Sequence, residues 1–319
     1  MTALPHGYTL RHPSADELPA VQLVLDAAES ADCGEPRRCE MDIVVVAATT
    51  QIDLERGAWV VVAPDGSFAG CGWLWQPRAG DTQFVADHYV HPAHRGPDVD
   101  DTLIDAIERR VAELRDEWPP RDRLVLFSED FDARRRTSLR QRGYEHVRDF
   151  HGMRIDLNPG RPPARWPAGI EVRPIRPGVD DRAAHAASED AFAEHYLFGP
   201  TPFDDWHTCT LGRDECDPSL WLLAWDGDQI VGQVWAVARD EGGPAYVGLV
   251  EDLSVRKQWR GRGLGLTLLG EVFRLLGDRG CASARLFVDA QNATGALRLY
   301  ERAGMRAERR ILGLERRLE

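Results

Sequence analysis

Apolar residues in the C-terminal half of the chain follow two spacings, one typical of β-strands and one typical of helices. Residues 245–255 and the apolar run 284–290 are predicted to be strands. Between them, residues 264–280 predict a helix that ends at Gly277 and Gly280. The apolar face of this helix carries Leu268, Val272, Leu275 and Leu276.

A second helix is predicted over residues 292–304, with Asn292 as its N-terminal cap and Gly304 as its terminator. Each half of the chain has the same predicted order. A strand is followed by helices, a strand hairpin, a strand, a glycine turn, a helix, a strand, a helix and a last strand. This order predicts an α/β fold with a mixed sheet, of the kind also described as α+β.

The predicted order occurs twice because the chain contains a repeat of about 160 residues. Four pairs of segments match at offsets of 161 to 165 residues. The pairs are "YTLRHP" (8–13) with "IEVRPI" (170–175), "WVVVAPDGSFAGCGW" (59–73) with "WLLAWDGDQIVGQVW" (221–235), "YVHPAHRGPDVD" (89–100) with "SVRKQWRGRGLG" (254–265), and "LRQRGY" (139–144) with "YERAGM" (300–305). A nearly constant offset indicates a duplicated domain.

The stretch "NPGRPPARWPAG" at 158–169 separates the two copies. Its prolines remove backbone donors and restrict the preceding residues, so neither a helix nor an inner strand is expected there. The sequence therefore predicts two domains, 1–157 and 170–319, joined by the linker 158–169.

Composition narrows the possible partners and surroundings. The net charge of −13 disfavours nucleic acid, and no apolar run is long enough for a membrane span. The N-terminus lacks the apolar core of a secretory signal, and the six cysteines form no CxxC pair, so a reduced cytoplasmic protein is expected. His88, His91 and His94 lie in predicted strand and loop without a shared face, so no metal is expected.

The glycine turn at 260–265, "RGRGLG", lies between a predicted strand and a predicted helix. Glycines let the backbone approach a ligand, and the amides at the helix start favour an anion such as a diphosphate. A dinucleotide-binding fingerprint fails because Leu266 stands where its last glycine belongs. A P-loop fails because no Gly-Lys-Ser/Thr follows.

Two longer stretches are more specific, "VEDLSVRKQWRGRGLG" and "VDAQNATGALRLYERAGM". Together they resemble the acetyl-CoA-binding core of the GCN5-related N-acetyltransferases (GNAT). Arg260, Gly263 and Gly265 meet the family's turn pattern, and Asn292 and Tyr300 meet its later one. The resemblance covers 170–319, and the repeat extends it to two tandem GNAT acyl-CoA N-acyltransferase-like domains. This paired layout is similar to that of the mycothiol synthases of actinomycetes.

The resemblance implies that acetyl-CoA is the co-substrate and that an amine attacks its thioester directly in a ternary complex. The pantetheine arm would lie along 253–255, with a backbone N–H near Leu253 polarising the thioester carbonyl. The diphosphate would bind amides of 260–265. The residues expected to bind acetyl-CoA are Leu253, Ser254, Val255, Arg260, Gly261, Arg262, Gly263, Leu264, Gly265 and Asn292.

Tyr300 is the predicted general acid for the departing thiolate, because a phenol and a thiol have similar basicity. Glu251 is the favoured general base, since strict alternation would place it on the same face as Leu253 and Val255. Asp252, on the opposite face, is the alternative. Several family members carry the base two residues earlier, where this chain has Leu249.

The amine acceptor is expected to contact the first helices of the second domain, "EDAFAEHYLFGPTPFDDW" at 189–206. His195, Asp204 and Trp206, together with Asp252, are predicted to bind a cationic amine through charge and ring face. Asp205 is a further candidate in the same segment.

The first copy carries Asp98 and Asp100 in place of two glycines, and Leu139 in place of Tyr300. Carboxylates against a diphosphate cost about 1–4 kcal/mol each, so this copy is predicted to be non-catalytic. A chain with two such copies is expected to act as a monomer, because the copies form an internal pseudo-dimer. The leading prediction is a small-molecule N-acetyltransferase. Aminoacyl or peptidyl transfer and a non-catalytic acetyl-CoA sensor are the alternatives.

Overall fold

The computed structural model describes residues 4–33, 43–49, 51–77, 81–115, 121–196, 198–240, 245–292 and 294–318. The chain forms two compact units. Unit 1 consists of Met1–Arg148 with Ile311–Glu319, and unit 2 consists of Asp149–Arg310. Residues 158–169, the predicted linker, contain no helix or strand.

Unit 1 is a mixed sheet with helices. Its strands are β1 (Thr9–Arg11), β2 (Ala58–Val62), β3 (Phe68–Leu74), β4 (Phe84–Val90) and β5 (Arg123–Glu129). Its helices are α1 (Leu18–Cys33), α2 (Ile43–Ala47), α3 (Pro97–Leu114) and α4 (Ala133–Gln141). Strands β1 to β4 pair antiparallel in sequence order, and β5 is parallel to β4.

Unit 2 repeats this arrangement. Its strands are β6 (Glu145–Asp156), which enters from the end of the first copy, β7 (Ile170–Pro174), β8 (Trp221–Asp226), β9 (Gln229–Arg239), β10 (Tyr246–Val255) and β11 (Cys281–Asp289). Its helices are α5 (Asp181–Phe192), α6 (Phe203–Cys209), α7 (Leu264–Asp278) and α8 (Ala296–Arg302). Strands β7 to β10 are antiparallel, and β11 is parallel to β10.

The last strand of each sequence copy belongs to the sheet of the other unit. Residues Phe150–Asp156 of β6 pair antiparallel with β11. Residues Ile311–Arg317 of the final strand, β12 (Arg306–Arg317), pair antiparallel with β5. The units therefore differ from the predicted domains 1–157 and 170–319 at both ends. Sequence order alone would have left each terminal strand in its own copy.

Helices cover both faces of the unit 2 sheet, so the sheet has a hydrophobic core on each side. Successive side chains of β10 point alternately into these two cores. Helix α7 buries Leu268, Val272, Phe273 and Leu276 against one face, as the sequence periodicity predicted for most of them. Helices α5 and α6 pack on the other face, where Trp206, Trp221 and Trp235 lie in one cluster. Among the described residues, no helix combines the length and apolar character that crossing a membrane requires.

Candidate active site

Strands β10 and β11 diverge and leave part of β10 with an open edge. Their parallel pairing runs only from Tyr246 to Leu249 on β10, although β10 continues to Val255. On its other edge, β10 pairs with β9, and the Arg256 amide donates to the Val231 carbonyl. Backbone groups alternate in direction along a strand, so the Leu253 N–H points to the open edge. This is where a thioester carbonyl would need a donor.

A β-bulge interrupts β10 at Glu251. Val250 lies opposite Ala236 and Asp252 lies opposite Trp235, so Glu251 is the extra residue. The prediction that Glu251 shares a face with Leu253 and Val255 rested on strict alternation, and the bulge breaks that alternation. Asp252 consequently faces α5.

The glycine turn adopts the backbone conformation for which its glycines are needed. Gly261 and Gly263 have φ angles of 76° and 83°, in the left-handed region. A Cβ at Gly265 would come within 3.0 Å of Leu299 Cδ1. The first-turn amides of α7, which begins at Leu264, have no partners within the helix and suit an anion.

A cavity of about 290 Å³ connects this turn with the open edge of β10. Glycines line it at the turn, namely Gly261, Gly263 and Gly265. The lining residues are Ala191, Phe192, His195, Leu253, Ser254, Val255, Trp259, Arg260, Gly261, Gly263, Leu264, Gly265, Leu266, Thr294, Gly295, Ala296, Arg298, Leu299, Tyr300 and Arg302. The set includes all the predicted acetyl-CoA-binding residues except Arg262 and Asn292.

Tyr300 lies on α8, lines this cavity and is buried. Burial raises the pKa of its hydroxyl, and the negative charge of Asp252 raises that pKa further. The hydroxyl therefore stays protonated at neutral pH and is able to act as a proton donor.

Asp252 is enclosed by polar groups from two neighbouring elements. Its Oδ2 accepts hydrogen bonds from Ser188 Oγ on α5 at 2.9 Å and from Gln233 Nε2 on β9 at 3.3 Å. Gln233 is fully buried, and its own Oε1 accepts from Trp221 Nε1 at 3.2 Å. Burial raises the pKa of Asp252 to about 6, although the hydrogen bond from Ser188 opposes the shift. The other oxygen, Oδ1, is buried and accepts no hydrogen bond of good geometry from the described residues, although the nearby Ser254 hydroxyl also holds the pKa of Asp252 down.

Glu251 lies in a different setting. Its Oε1 accepts from the Arg213 guanidinium at 3.0 Å, and Arg213 also binds Glu215 at 2.8 Å. The Arg213 guanidinium stacks over the Trp235 ring, 5.4 Å from its centroid. The Glu251 carboxylate is thus the partner of a fixed cation.

Arg260 and His195 line the cavity, but part of their bonding capacity is already used. Arg260 donates to the backbone carbonyls of Val255 and Ala191, at 2.9 Å each, and so fixes the turn against α5. His195 Nε2 lies 3.3 Å from Asn292 Nδ2. Burial and, second, the charge of Arg260 lower the pKa of His195. His195 thus lines the same cavity as the glycine turn and lies next to Asn292, and its contact with the acceptor stays a prediction.

Asn292 does not cap a helix, contrary to expectation. Helix α8 begins four residues later, after Gly295 in the left-handed conformation. The Asn292 Oδ1 instead accepts from the Thr294 amide at 2.8 Å, which closes a tight turn before the helix.

Trp206 and Asp204 lie on α6 and do not line the cavity. Trp206 is buried in the cluster on the α5 face, with its ring 5.6 Å from that of Trp221. Its environment is that of a core residue. Asp205 is also buried, while Asp204 is exposed at the first turn of the helix.

Sequence reasoning missed several residues that the structure brings to the site. Arg298 and Arg302 of α8 line the cavity, and neither forms an ion pair within the described part of the chain. Their exposed helical positions gave no signal. Gln233 did give a sequence signal, since it is an isolated amide in the apolar run "IVGQVWAVA". In the described ranges, no three His, Cys, Asp or Glu residues are grouped as a metal site would require.

The equivalent region of unit 1 contains a charged network. Asp100, at the position of Gly265, lies 3.2 Å from His88 Nε2 and 2.9 Å from Arg134. His88, at the position of Leu253, binds Arg135 through Nδ1 at 2.8 Å. Leu139, at the position of Tyr300, is fully buried. Asp98 is on α3 next to this network, and its carbonyl accepts from Thr102.

Comparison with known proteins identifies the class. Residues 184–305 match the acetyltransferase (GNAT) family. A mycothiol acetyltransferase of Pseudarthrobacter chlorophenolicus is 31% identical over 290 residues, which are 88% of this chain and 86% of that protein.

Solved structures agree. A GCN5-related N-acetyltransferase from Sphaerobacter thermophilus has a TM-score of 0.76 and 32% identity, covering 99% of this chain and 97% of its own. A tandem GNAT protein from the clavulanic acid pathway shares the fold, with a TM-score of 0.65 and 17% identity, covering 97% of this chain and 98% of its own.

The site and fold are those of an acetyltransferase, and the chain belongs to the GNAT family. It is an enzyme that transfers an acetyl group from acetyl-CoA to the amine of a small molecule. The predicted fold class and the tandem GNAT resemblance are confirmed.

Proposed function

We propose that the acceptor amine belongs to the unacetylated precursor of mycothiol, so that this chain is a mycothiol acetyltransferase. The observation that carries this proposal is the extent of the similarity. A relative of that name from Catenulispora acidiphila aligns over 95% of this chain and 96% of its own length, at 29% identity. Both copies of the repeat are therefore included, and not only the acetyl-CoA-binding core that all family members share.

Acetyl-CoA is the acetyl donor in this proposal, and the residues present suit it. The diphosphate binds the amides that follow Gly261 and Gly263. These glycines have a left-handed backbone and no side chain, so the main-chain N–H groups are accessible to a ligand. Arg298 and Arg302 at the cavity wall supply positive charge that no described carboxylate neutralises. Gly265 keeps the space that a side chain would fill.

The chemistry requires a donor for the thioester oxygen and an acid for the sulfur. The Leu253 N–H on the open edge of β10 fills the first role, for which a single donor contributes about 3–4 kcal/mol in well-studied enzymes. Tyr300 fills the second, since its raised pKa keeps the proton on the phenol until a thiolate forms.

We also propose that unit 1 does not catalyse and that the protein acts in the cytoplasm as a monomer without nucleic acid. The charged network at Asp100 and His88 supports the first statement, and the net charge of −13 supports the last. Isothermal titration with acetyl-CoA would give one site per chain, and light scattering would give the mass of one chain. Two equal sites, or a dimer mass, would contradict these statements.

The acceptor is tested by measuring acetylated product by mass spectrometry with purified mycothiol precursor, an aminoglycoside, an arylalkylamine and a lysine peptide. Free-thiol reagents are unsuitable, because the proposed acceptor itself carries a thiol. The precursor should exceed every other amine in kcat/KM by roughly 10²-fold or more, since a site built for its hydroxyl and amine groups rejects analogues lacking them. A higher value for another amine would disprove the assignment.

A further inference from the structure

Two carboxylates, those of Glu251 and Asp252, lie close to Leu253 in the sequence, and their surroundings differ. Glu251 is the bulged residue, directed outward and paired with Arg213 at 3.0 Å. To accept a proton it would have to give up much of this ion pair. Within the described ranges Asp252 forms no ion pair, and its buried Oδ1 accepts no hydrogen bond of good geometry, with only the Ser254 hydroxyl close to the carboxylate besides Ser188 and Gln233. A buried acceptor atom without a partner is costly and uncommon, so its presence suggests a role in binding or chemistry.

The position of Asp252 also matches the direction from which an amine must arrive. Tyr300, the proposed acid for the sulfur, packs with α7 on one side of the sheet. The proposed site therefore puts the sulfur end of the donor on that side. An amine attacking the same thioester carbonyl must approach from the opposite side, which faces α5. Asp252 faces α5, where Ser188 holds its Oδ2 at 2.9 Å.

The neighbours of Asp252 hold the carboxylate in one orientation. Ser188 and Gln233 both donate to Oδ2, and Gln233 is itself held by Trp221 and by the Ala184 carbonyl. With Oδ2 occupied twice, Oδ1 is the atom left for a proton. The groups facing Asp252 from α5, β9 and its own strand are neutral, namely Ser188, Gln233 and Ser254. From α8 the titratable group that interacts with it is Tyr300.

We propose that Asp252 Oδ1 is the general base that takes the proton from the acceptor ammonium, and that Ser188 and Gln233 are positioning residues for it. The amine nitrogen then bonds to the thioester carbon, and the carbon–sulfur bond breaks. The ammonium loses two protons in all. One passes to Asp252 and on to solvent, and the other replaces the proton that Tyr300 gives to sulfur.

Burial raises the pKa of Asp252 to about 6, which suits this task. A carboxyl group with an ordinary pKa would be a weak base at neutral pH, whereas one near 6 is still ionised and holds a proton better. This inference rests on the proposed placement of the thioester at the Leu253 amide. It does not depend on which small-molecule amine is the acceptor.

The test compares three variants, using the full chain and whichever amine gives the highest turnover. Asp252→Asn should lower kcat by about 10²–10⁴-fold while the Kd for acetyl-CoA, measured by titration, stays within about twofold. Glu251→Gln should lower kcat far less. Asp87→Asn, at the equivalent position of unit 1, is the matched control and should leave kcat unchanged.

A pH profile separates a base from a structural aspartate. In the wild type, kcat should rise through about pH 6, and this limb should be missing in Asp252→Asn. Ser188→Ala removes the hydrogen bond that holds the pKa down, so the limb should move upward by up to about one pH unit. An unmoved limb in Ser188→Ala would contradict the role of Oδ2 fixation.

The outcomes distinguish this inference from the proposed site itself. If Glu251→Gln loses as much kcat as Asp252→Asn, or more, Asp252 is not the base. If Asp252→Asn keeps its turnover while Tyr300→Phe loses it, only the inference fails. If both variants keep full turnover, the placement of the thioester at Leu253 and Tyr300 is wrong.

Discussion

The two units share one topology and differ in what occupies the gap between their parallel strands. In unit 2, β10 and β11 diverge after Leu249, and the gap is lined by glycines and main-chain amides. In unit 1, pairing of β4 with β5 covers only Phe84 and Val85, so the same divergence exists. There the gap holds His88, Asp100 and Arg135, bonded to one another.

The comparison shows two ways to fill the gap between a pair of diverging strands. A ligand site needs donors without internal partners, and glycine provides them because it exposes the backbone. In unit 1 charged side chains fill the gap and contact one another, although the buried Arg135 Nε finds no hydrogen-bond partner among the described residues. Burial and, second, Arg135 lower the pKa of His88 to about 4, so it is neutral at pH 7.

Among the experiments that test the comparison of the two units, the largest expected effect concerns Tyr300, for which unit 1 supplies a matched control. Tyr300→Phe should lower kcat by about 10²–10³-fold with an unchanged Kd for acetyl-CoA, because only the departing sulfur needs its proton. Tyr144→Phe removes the hydroxyl that donates to Glu108 in unit 1. Steady-state kinetics should show no loss for this control. Equal losses in both variants would mean that the comparison does not separate catalysis from stability.

The second prediction concerns the stability cost of Asp252. Its pKa is raised from 3.8 to about 6, so the native state resists ionisation, and wild-type stability falls as pH rises from 4 to 6. Asp252→Asn should therefore unfold with a free energy about 2–3 kcal/mol higher at pH 8, and with little difference below pH 4. Urea unfolding at both pH values measures this. A destabilised variant at pH 8 would contradict the assigned direction.

Asp100 in unit 1 should behave in the opposite way. Burial alone would raise its pKa, but His88 and the nearby arginines outweigh burial and lower the pKa to about 2. Its ionised form therefore stabilises the fold above pH 4, and this contribution is lost as pH falls through 2. Asp100→Asn should lose about 2 kcal/mol at pH 7, with the difference narrowing below pH 4. A loss that is constant with pH would point to packing instead of charge.

The smallest expected effect transfers one feature of unit 1 to unit 2. Gly265→Asp copies Asp100 and should weaken acetyl-CoA binding about tenfold, from charge repulsion and from contact with Leu299. Gly270→Asp adds the same charge further along α7, where a Cβ meets nothing within 4 Å. Gly265→Asn separates bulk from charge. Titration should rank the affinity for acetyl-CoA in the order Gly270→Asp, Gly265→Asn, Gly265→Asp, with Gly270→Asp nearest to wild type. Equal affinities of the two Gly265 variants would rule out charge as the cause.

Local sequence patterns predicted those elements whose conformation depends on residues close to one another in the sequence. Helix α7 and the glycine turn follow from spacing within a short stretch of sequence, and the repeat followed from constant offsets. The choice of Tyr300 as the acid came from the family resemblance and stays a prediction. The bulge at Glu251 depends on the register with β9, and a shift of one residue exchanges which carboxylate faces α5. Ser188 and Gln233 reach Asp252 from elements 64 and 19 residues away, and local sequence carries no information about such contacts.

Strand β12 determines which of the two units can complete its folding first during translation. Unit 2 has its complete set of segments once residue 310 has left the ribosome, whereas unit 1 also needs residues 311–319, which emerge after all of unit 2. Until then β5 presents an unpaired edge, which is the kind of surface that invites wrong pairing during translation. The half of the chain that is made first is thus the half that finishes folding last. A stop codon just after residue 310 would leave the acetyl-transfer unit with all of its segments and unit 1 without the strand that pairs with β5.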